Sequence, residues 1–232
     1  MPLYPVGWEG IELGFEFQRE MVPDKSQALL QTHGSHIIKF NSENARVFSN
    51  QKDSPILPSA DGIWTDEKGV SLVIQTADCV PVFFYCKTDA KNRKNLVNDG
   101  NESLYQIGAI HAGWRGTARN ISGIMVHILH QHMDKATEMF VMIGHCIRKC
   151  HYEVKQDVAS QFQSFPDALE EREGKLYLDL VRVIICQLLA QGVGRQNIID
   201  LGKCTYCESA LPSYRRDGAG CGMLYHFMRI SE

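Results

Sequence analysis

No apolar stretch in the sequence approaches the length of a membrane span. The first residues, Met1-Pro2-Leu3-Tyr4-Pro5-Val6-Gly7-Trp8-Glu9, carry no basic segment followed by an apolar core. A secretory signal is therefore not expected, and the cytoplasm is the expected compartment. Charge of one sign is not in great excess: the formal net charge is -3, which gives no electrostatic ground for nucleic acid or an anionic membrane as partner. A Gly-x-Gly-x-x-Gly fingerprint and a Walker loop are both missing, so no nucleotide cofactor is implied. Internal repeats are absent. Eight cysteines in 232 residues are too dilute for a disulfide scaffold, and in a reducing compartment they are expected to be thiols, metal ligands or a nucleophile.

What remains is an ordinary globular composition, 44% hydrophobic and 22% charged, in a chain long enough for one large core. Loose alternation over residues 8–20 suits a strand, and so do the apolar runs at 72–85, 139–143, 198–201 and 223–230. Helical spacing appears in Ile121, Ile124, Met125, Ile128, Leu129 and Met133, with Thr117 or Asn120 as the cap. A weak helix is expected over 156–165, and a stronger one opens at Leu178-Asp179-Leu180, runs through Leu189 and is stopped by Gly192. Residues 41–60 read as loop and 87–103 as an exposed excursion. Strands and helices are interspersed without strict alternation. The expected fold is α/β or α+β, a single layered domain over residues 1–232 with mixed β-sheets flanked by helices.

The chemistry-bearing residues sit where strands break. The run Ile107-Gly108-Ala109-Ile110-His111-Ala112-Gly113-Trp114-Arg115-Gly116 places His111 at the carboxyl end of a buried strand, ahead of a Gly turn and a helix. Layered α/β architectures gather ligands at such places, and a histidine there serves as base or metal ligand. A hydrogen-bonded turn histidine explains the same pattern. Gln31-Thr32-His33-Gly34-Ser35-His36 is a second polar knot, in which His36 points away from His33 and His33 is the better candidate. Between two β-prone runs lies Thr76-Ala77-Asp78-Cys79-Val80-Pro81, where Pro81 implies a bulge or a strand end and Asp78 demands solvent or a partner.

His33, Cys79 and His111 make a three-ligand set for a catalytic zinc with an open fourth position, and copper is conceivable with the same donors. The same residues read as a Cys79 nucleophile activated by His111. A structural zinc held by Cys146-x-x-x-Cys150 with Cys204-x-x-Cys207 is a further alternative. Arg115 and the pair Arg215-Arg216 are candidate phosphate contacts, against the plain reading of a solvated surface. Spacing alone does not force the three ligands together.

Taken in order, Gln31-x-His33-Gly34, Ala60-Asp61-Gly62 with Thr65, Ala77-Asp78-Cys79-Val80-Pro81, His111-Ala-Gly-Trp-Arg-Gly116, Cys146 with Tyr152-Glu153-Val154, Leu178-Asp179-Leu180, Cys204-Thr205 and Tyr214-Arg-Arg-Asp-Gly218 resemble the laccase-domain, or multicopper polyphenol oxidase, family over nearly the whole chain. That resemblance implies mixed sheets flanked by helices and a zinc site from His33, Cys79 and His111. It also implies purine nucleoside chemistry: phosphorolysis of adenosine, inosine and methylthioadenosine, and hydrolytic deamination of adenosine. The implied partners are small-molecule nucleoside and phosphate, with Arg115 and Arg215 as their contacts; oligomeric state is left open. For bacterial members that the chain resembles, a cysteine-type amide hydrolase acting on peptidoglycan precursors is the alternative. Copper-dependent polyphenol oxidation is disfavoured, since the sequence lacks the dense His-x-His and His-Cys-His clusters that several coppers need. Two departures stand out: His145 and Arg148-Lys149 replace the family's Pro and Gly-Pro, and Cys221 stands where an Arg is usual.

Overall fold

The computed structural model describes residues 8, 10–18, 21–23, 25–41, 57–88, 105–133 and 137–231. Most of the loop expected over 41–60 and of the excursion expected over 87–103 falls outside these residues. In chain order the strands are β1 (Ile11–Glu16), β2 (Ser26–Gln27), β3 (Ile37–Lys39), β4 (Gly62–Thr65), β5 (Ser71–Thr76), β6 (Val80–Thr88), β7 (Tyr105–Ala112), β8 (Thr137–Ile143), β9 (Glu153–Val154), β10 (Leu169–Arg172), β11 (Lys175–Leu178), β12 (Ile198–Asp200) and β13 (Leu224–Ile230). The helices are α1 (Trp114–Ala118), α2 (Ile121–Gln131), α3 (Gln156–Ala159), α4 (Leu180–Ala190) and α5 (Tyr214–Asp217).

Among the described residues the strands form a six-stranded sheet in the order β12-β8-β6-β7-β4-β3, a four-stranded sheet β1-β13-β5-β2 and a three-stranded sheet β10-β11-β9. The larger sheets are mixed, as the irregular succession of elements implied: β12 runs parallel to β8 and β3 to β4, while β6, β7 and β8 pair antiparallel.

The apolar run of β6 is continuous because both of its faces are covered. Val82, Phe84 and Cys86 join Ile121, Met125 and Leu129 of α2 and Val183, Ile184 and Leu188 of α4 in one core. Phe83 and Tyr85 face the other way, against Leu72, Ile74 and Met228 of the four-stranded sheet. The result is three layers, helices on sheet on sheet. Gly108 lets α2 approach β7 closely, since a Cβ there would lie 2.9 Å from the Met125 sulfur.

Local outcomes refine the sequence reading. Asn120 caps α2, its side chain accepting from the Gly123 amide, and a short α1 precedes it. Leu178 ends β11 rather than opening a helix; Asp179 is the N-cap of α4, with its carboxylate accepting from the Arg182 amide at 2.9 Å. That hairpin turns at Glu173-Gly174, both at positive φ, the geometry of a tight two-residue turn. The helix expected over 156–165 is cut to the four residues of α3, after which a 3-10 turn at Ser160–Phe162 buries Phe162. Pro81 sits inside β6 at its second position, where the β8 ladder ends: the Gly144 amide donates to the Pro81 carbonyl at 2.9 Å, and only the reciprocal bond, which a proline cannot give, is missing.

Register then determines where the site forms. β7 pairs with β6 so that Val80 lies opposite Ala112, and with β4 so that Gly62 lies opposite Ile110. Ile37 of β3 lies beside Gly62. Three strand starts and one strand end therefore meet at the same end of the sheet.

Candidate metal centre

At that end of the sheet His111 is the penultimate residue of β7, Cys79 immediately precedes β6, and Asp61 immediately precedes β4. The loop before β3 carries His33 in the left-handed region at φ 60, a conformation that turns the chain back over the sheet end. Pairing supplies what spacing could not: the ligand atoms of His33, Cys79 and His111 all lie within 4.8 Å of one another. The two imidazoles meet edge to face, with ring centroids 4.7 Å apart.

Asp61 organises this arrangement, and its role was not legible in the sequence beyond its place in the Ala60-Asp61-Gly62 motif. It is fully buried. Its Oδ1 accepts from the His33 amide at 2.8 Å and from His111 Nδ1 at 2.9 Å. Its Oδ2 accepts from the Thr32 amide, the Thr32 hydroxyl and the Gly34 amide at 3.2, 2.8 and 2.7 Å. Burial alone would raise its pKa, but the hydrogen bonds from His111, Gly34 and Thr32 hold the carboxyl well below the usual carboxylate range. With Nδ1 engaged by Asp61, His111 offers Nε2 to the site. Orientation of a ligating histidine by a buried carboxylate is the recurrent outer support of metal centres.

Electrostatics draw the thiol into the same unit. Burial opposes ionisation of Cys79, but hydrogen bonds and charge from His111 and His33 outweigh it and bring the pKa down to about 7. His111 moves the other way: burial lowers its pKa, and its bonds to Asp61 and Cys79 raise it to about 9. A thiolate and two imidazole nitrogens are a donor set that zinc accepts with three protein ligands and one open position. Space agrees with that use. A Cβ on Gly113 would stand 3.3 Å from the Cys79 sulfur and 3.3 Å from His33 Cδ2, so glycine keeps open the cradle between the donors. The residues fit the ion.

The three donors open into a cleft of about 660 Å³. Leu29, Leu30, Ile147 and Met223 give it apolar walls, and Tyr152, Tyr214 and Arg215 add aromatic and cationic groups. Asp78, beside Cys79, has φ 97 and is paired as its charge required: Oδ1 accepts from the Thr205 hydroxyl at 2.6 Å and Oδ2 from the Arg215 amide at 2.7 Å. The Arg215 guanidinium lies over the Tyr152 ring, 5.4 Å from its centroid, and donates to the Glu153 carbonyl at 2.9 Å. Arg115 is placed differently. It is exposed on α1, its guanidinium 4.3 Å from the centroid of the adjacent Trp114 ring, and it is not among the residues that line the cleft. His36 is likewise turned away, its Nδ1 3.1 Å from the Ser59 carbonyl.

Both departures from the family pattern have a structural setting. Arg148 makes a two-pronged ion pair with Asp200 at the end of β12, at 2.8 and 2.5 Å. Cys221 lines the cleft where a cation was expected. The structural-zinc alternative is corrected in one ligand. Cys150, Cys204 and Cys207 come together with His151, whereas Cys146 is wholly buried in the helix-side core, where desolvation pushes its thiol up to about 12.

The chain is similar to known proteins over most of its length. A family model described as multi-copper polyphenol oxidoreductase laccase matches residues 16–231. A protein from Geobacillus stearothermophilus named purine nucleoside phosphorylase YlmD is 34% identical over 210 residues, covering 87% of this chain and 71% of that protein. One from Aquifex aeolicus named purine nucleoside phosphorylase is 29% identical over 221 residues, covering 92% and 91%. The crystal structure of YlmD from Geobacillus stearothermophilus superposes with a TM-score of 0.74 at 32% identity, over 90% of this chain and 74% of that one. A Bacillus licheniformis structure described as hypothetical protein YfiH gives 0.74 at 27% identity, over 90% and 75%.

Proposed function

Since the chain belongs to the multi-copper polyphenol oxidoreductase laccase family, we propose that it is a zinc-dependent purine nucleoside phosphorylase acting on adenosine, inosine and methylthioadenosine, with hydrolytic deamination of adenosine as a second activity of the same cleft. The carrying observation is the convergence of His33, Cys79 and His111 at the floor of a cleft whose wall presents Arg215. Relatives that share the family bear the name purine nucleoside phosphorylase. Zinc is preferred to copper because neither ligand cluster among the described residues has the histidine density of a multicopper centre.

In this reading His33, Cys79 and His111 hold the ion, and Asp61 keeps the Nδ1 proton of His111 so that Nε2 stays free to ligate. When bound, zinc supplies Lewis-acid polarisation and activates water at neutral pH. Arg215, anchored through its amide to Asp78, meets a phosphate oxyanion, with Arg115 as a second cation at longer range. Tyr152 and Tyr214 offer faces for the purine, and Leu29, Leu30 and Ile147 give it an apolar wall. Phosphorolysis forms the C1′–O bond to phosphate as the C1′–N9 bond breaks, and the purine leaves with a proton.

Untagged protein incubated with adenosine and phosphate is expected to release adenine with ribose 1-phosphate, and inosine in the absence of phosphate. Neither product above the level of a Cys79→Ala control would remove the reading. One specific observation favours a second reading. Cys79, His111 and Asp61 stand in nucleophile, base and orienter order, the signature of a cysteine-type amide hydrolase, here with peptidoglycan precursors as substrate. A covalent mass increase on Cys79 in metal-free protein exposed to such an amide, without nucleoside turnover, selects it.

A further inference from the structure

A second cluster of soft donors lies outside the cleft, on its outer wall. Two loops form it, one after β8 and one after β12, joined by a parallel bridge between Cys146 and Cys204 and by the Thr205 amide donating to the Cys146 carbonyl at 3.0 Å. In the first loop the amides of His151 and Tyr152 both donate to the Arg148 carbonyl, a turn that brings Cys150 and His151 back toward the second loop. Cys150 Sγ and Cys207 Sγ are 3.8 Å apart, and His151 Nδ1 is 3.3 Å from each of them. Cys204 completes a set whose donor atoms all lie within 4.8 Å of one another.

We propose that Cys150, His151, Cys204 and Cys207 bind a second zinc ion, a structural one, that staples these two loops. A tetrahedral zinc with bonds of about 2.3 Å to sulfur places its thiolates about 3.8 Å apart, the separation of Cys150 and Cys207. Three sulfurs and an imidazole make a closed donor set with no open position, in contrast to the cleft site, and thiolates select zinc over hard cations. The surroundings support the ligands. Backbone amides of Cys207, Arg148 and Tyr206 lie around the Cys204 sulfur, a setting that suits a metal-bound thiolate. The His151 ring stacks on Tyr206 with centroids 4.1 Å apart and planes at 15°, which holds Nδ1 toward the two sulfurs. All eight cysteines are free thiols, so no disulfide competes for these atoms.

The staple bears on the cleft. Thr205, between the ligands Cys204 and Cys207, donates to Asp78. The Arg216 guanidinium donates to the Thr205 and Tyr206 carbonyls at 2.8 and 3.0 Å. On binding, the three thiols release their protons to solvent, so occupancy rises with pH.

Metal counting on the untagged full chain, expressed with zinc and kept reduced, tests the proposal independently of the nucleoside reading. Wild type is expected to carry about two zinc ions, and Cys79→Ala and Cys207→Ser about one each, since each variant removes one site. Cobalt-substituted Cys79→Ala is expected to keep a strong thiolate charge-transfer band that Cys79→Ala/Cys207→Ser loses. Cys207 is exposed, and should its replacement still fail to fold, the Cys79→Ala count decides: about one ion supports the second site. Folded Cys79→Ala protein without zinc, or a Cys150–Cys207 disulfide in freshly purified wild type, overturns it.

Discussion

Replacing Asp61 with asparagine tests how the centre is held. Both carboxylate oxygens act as acceptors, Oδ1 for two donors and Oδ2 for three. An asparagine must turn its NH2 toward one of these groups. It faces Oδ1's donors at lower cost, because His111 can yield by moving its proton from Nδ1 to Nε2, whereas backbone amides cannot. Two charge-assisted hydrogen bonds at about 1.5–3 kcal/mol each are then lost or reversed, a destabilisation of about 3–6 kcal/mol. The proton displaced to Nε2 occupies the lone pair that would ligate, and loss of such outer support costs about 10- to 100-fold in metal affinity. Urea unfolding gives the first number, and competition with a chromophoric zinc chelator gives the second. Asp61→Asn protein within about 1 kcal/mol and twofold of wild type would refute the reasoning.

His226 is buried between the Phe15 and Phe83 rings, with Nε2 3.0 Å from the Thr76 hydroxyl, and burial together with His145 brings its pKa down to about 3. The native imidazole stays neutral while the unfolded chain takes a proton below about 6.5, so stability is full above that pH and falls as pH drops toward 3. Between pH 6.5 and 4.5 the loss is about 2 kcal/mol, and His226→Gln is expected to flatten this limb in urea titrations; an unchanged slope would exclude His226 as its source. Gly113→Ala puts a Cβ 3.3 Å from the Cys79 sulfur and from His33 Cδ2, so these donors must shift by a few tenths of an ångström, and both cleft-ion affinity and nucleoside turnover should fall; wild-type values for both would refute the crowding. Phe84→Ala, fully buried under α2 and α4, is expected to cost about 3–5 kcal/mol in chemical unfolding, with metal content unchanged. A strong chelator should stop turnover and zinc, added back, should restore it.

The sequence made the layers legible where burial is two-sided. In β6 from Val80 to Cys86 and in β7 from Ile107 to Ile110 apolar residues run without a break because helices cover one face and a second sheet the other. His33, Cys79 and His111 were recognisable as chemistry at strand breaks, yet their convergence depends on the β4–β7–β6 register, which no local pattern encodes. Asp61 was hidden because a buried carboxylate with five donors and a solvated turn aspartate look alike in a chain of letters. His151 was missed as the partner of Cys150, Cys204 and Cys207 because Cys146 offered the more familiar spacing. Only the turn on the Arg148 carbonyl exchanges the two. The hairpin at Glu173-Gly174 lost out to the apolar spacing of the helix after it, which drew Leu178 into the wrong element.

Crystals of the untagged chain, with diffraction recorded on both sides of the zinc absorption edge, test the account at its centre. An anomalous peak about 2.3 Å from Cys79 Sγ and about 2.0 Å from an imidazole nitrogen of both His33 and His111 is the expected result. A cleft without that peak in zinc-replete, active protein would contradict it.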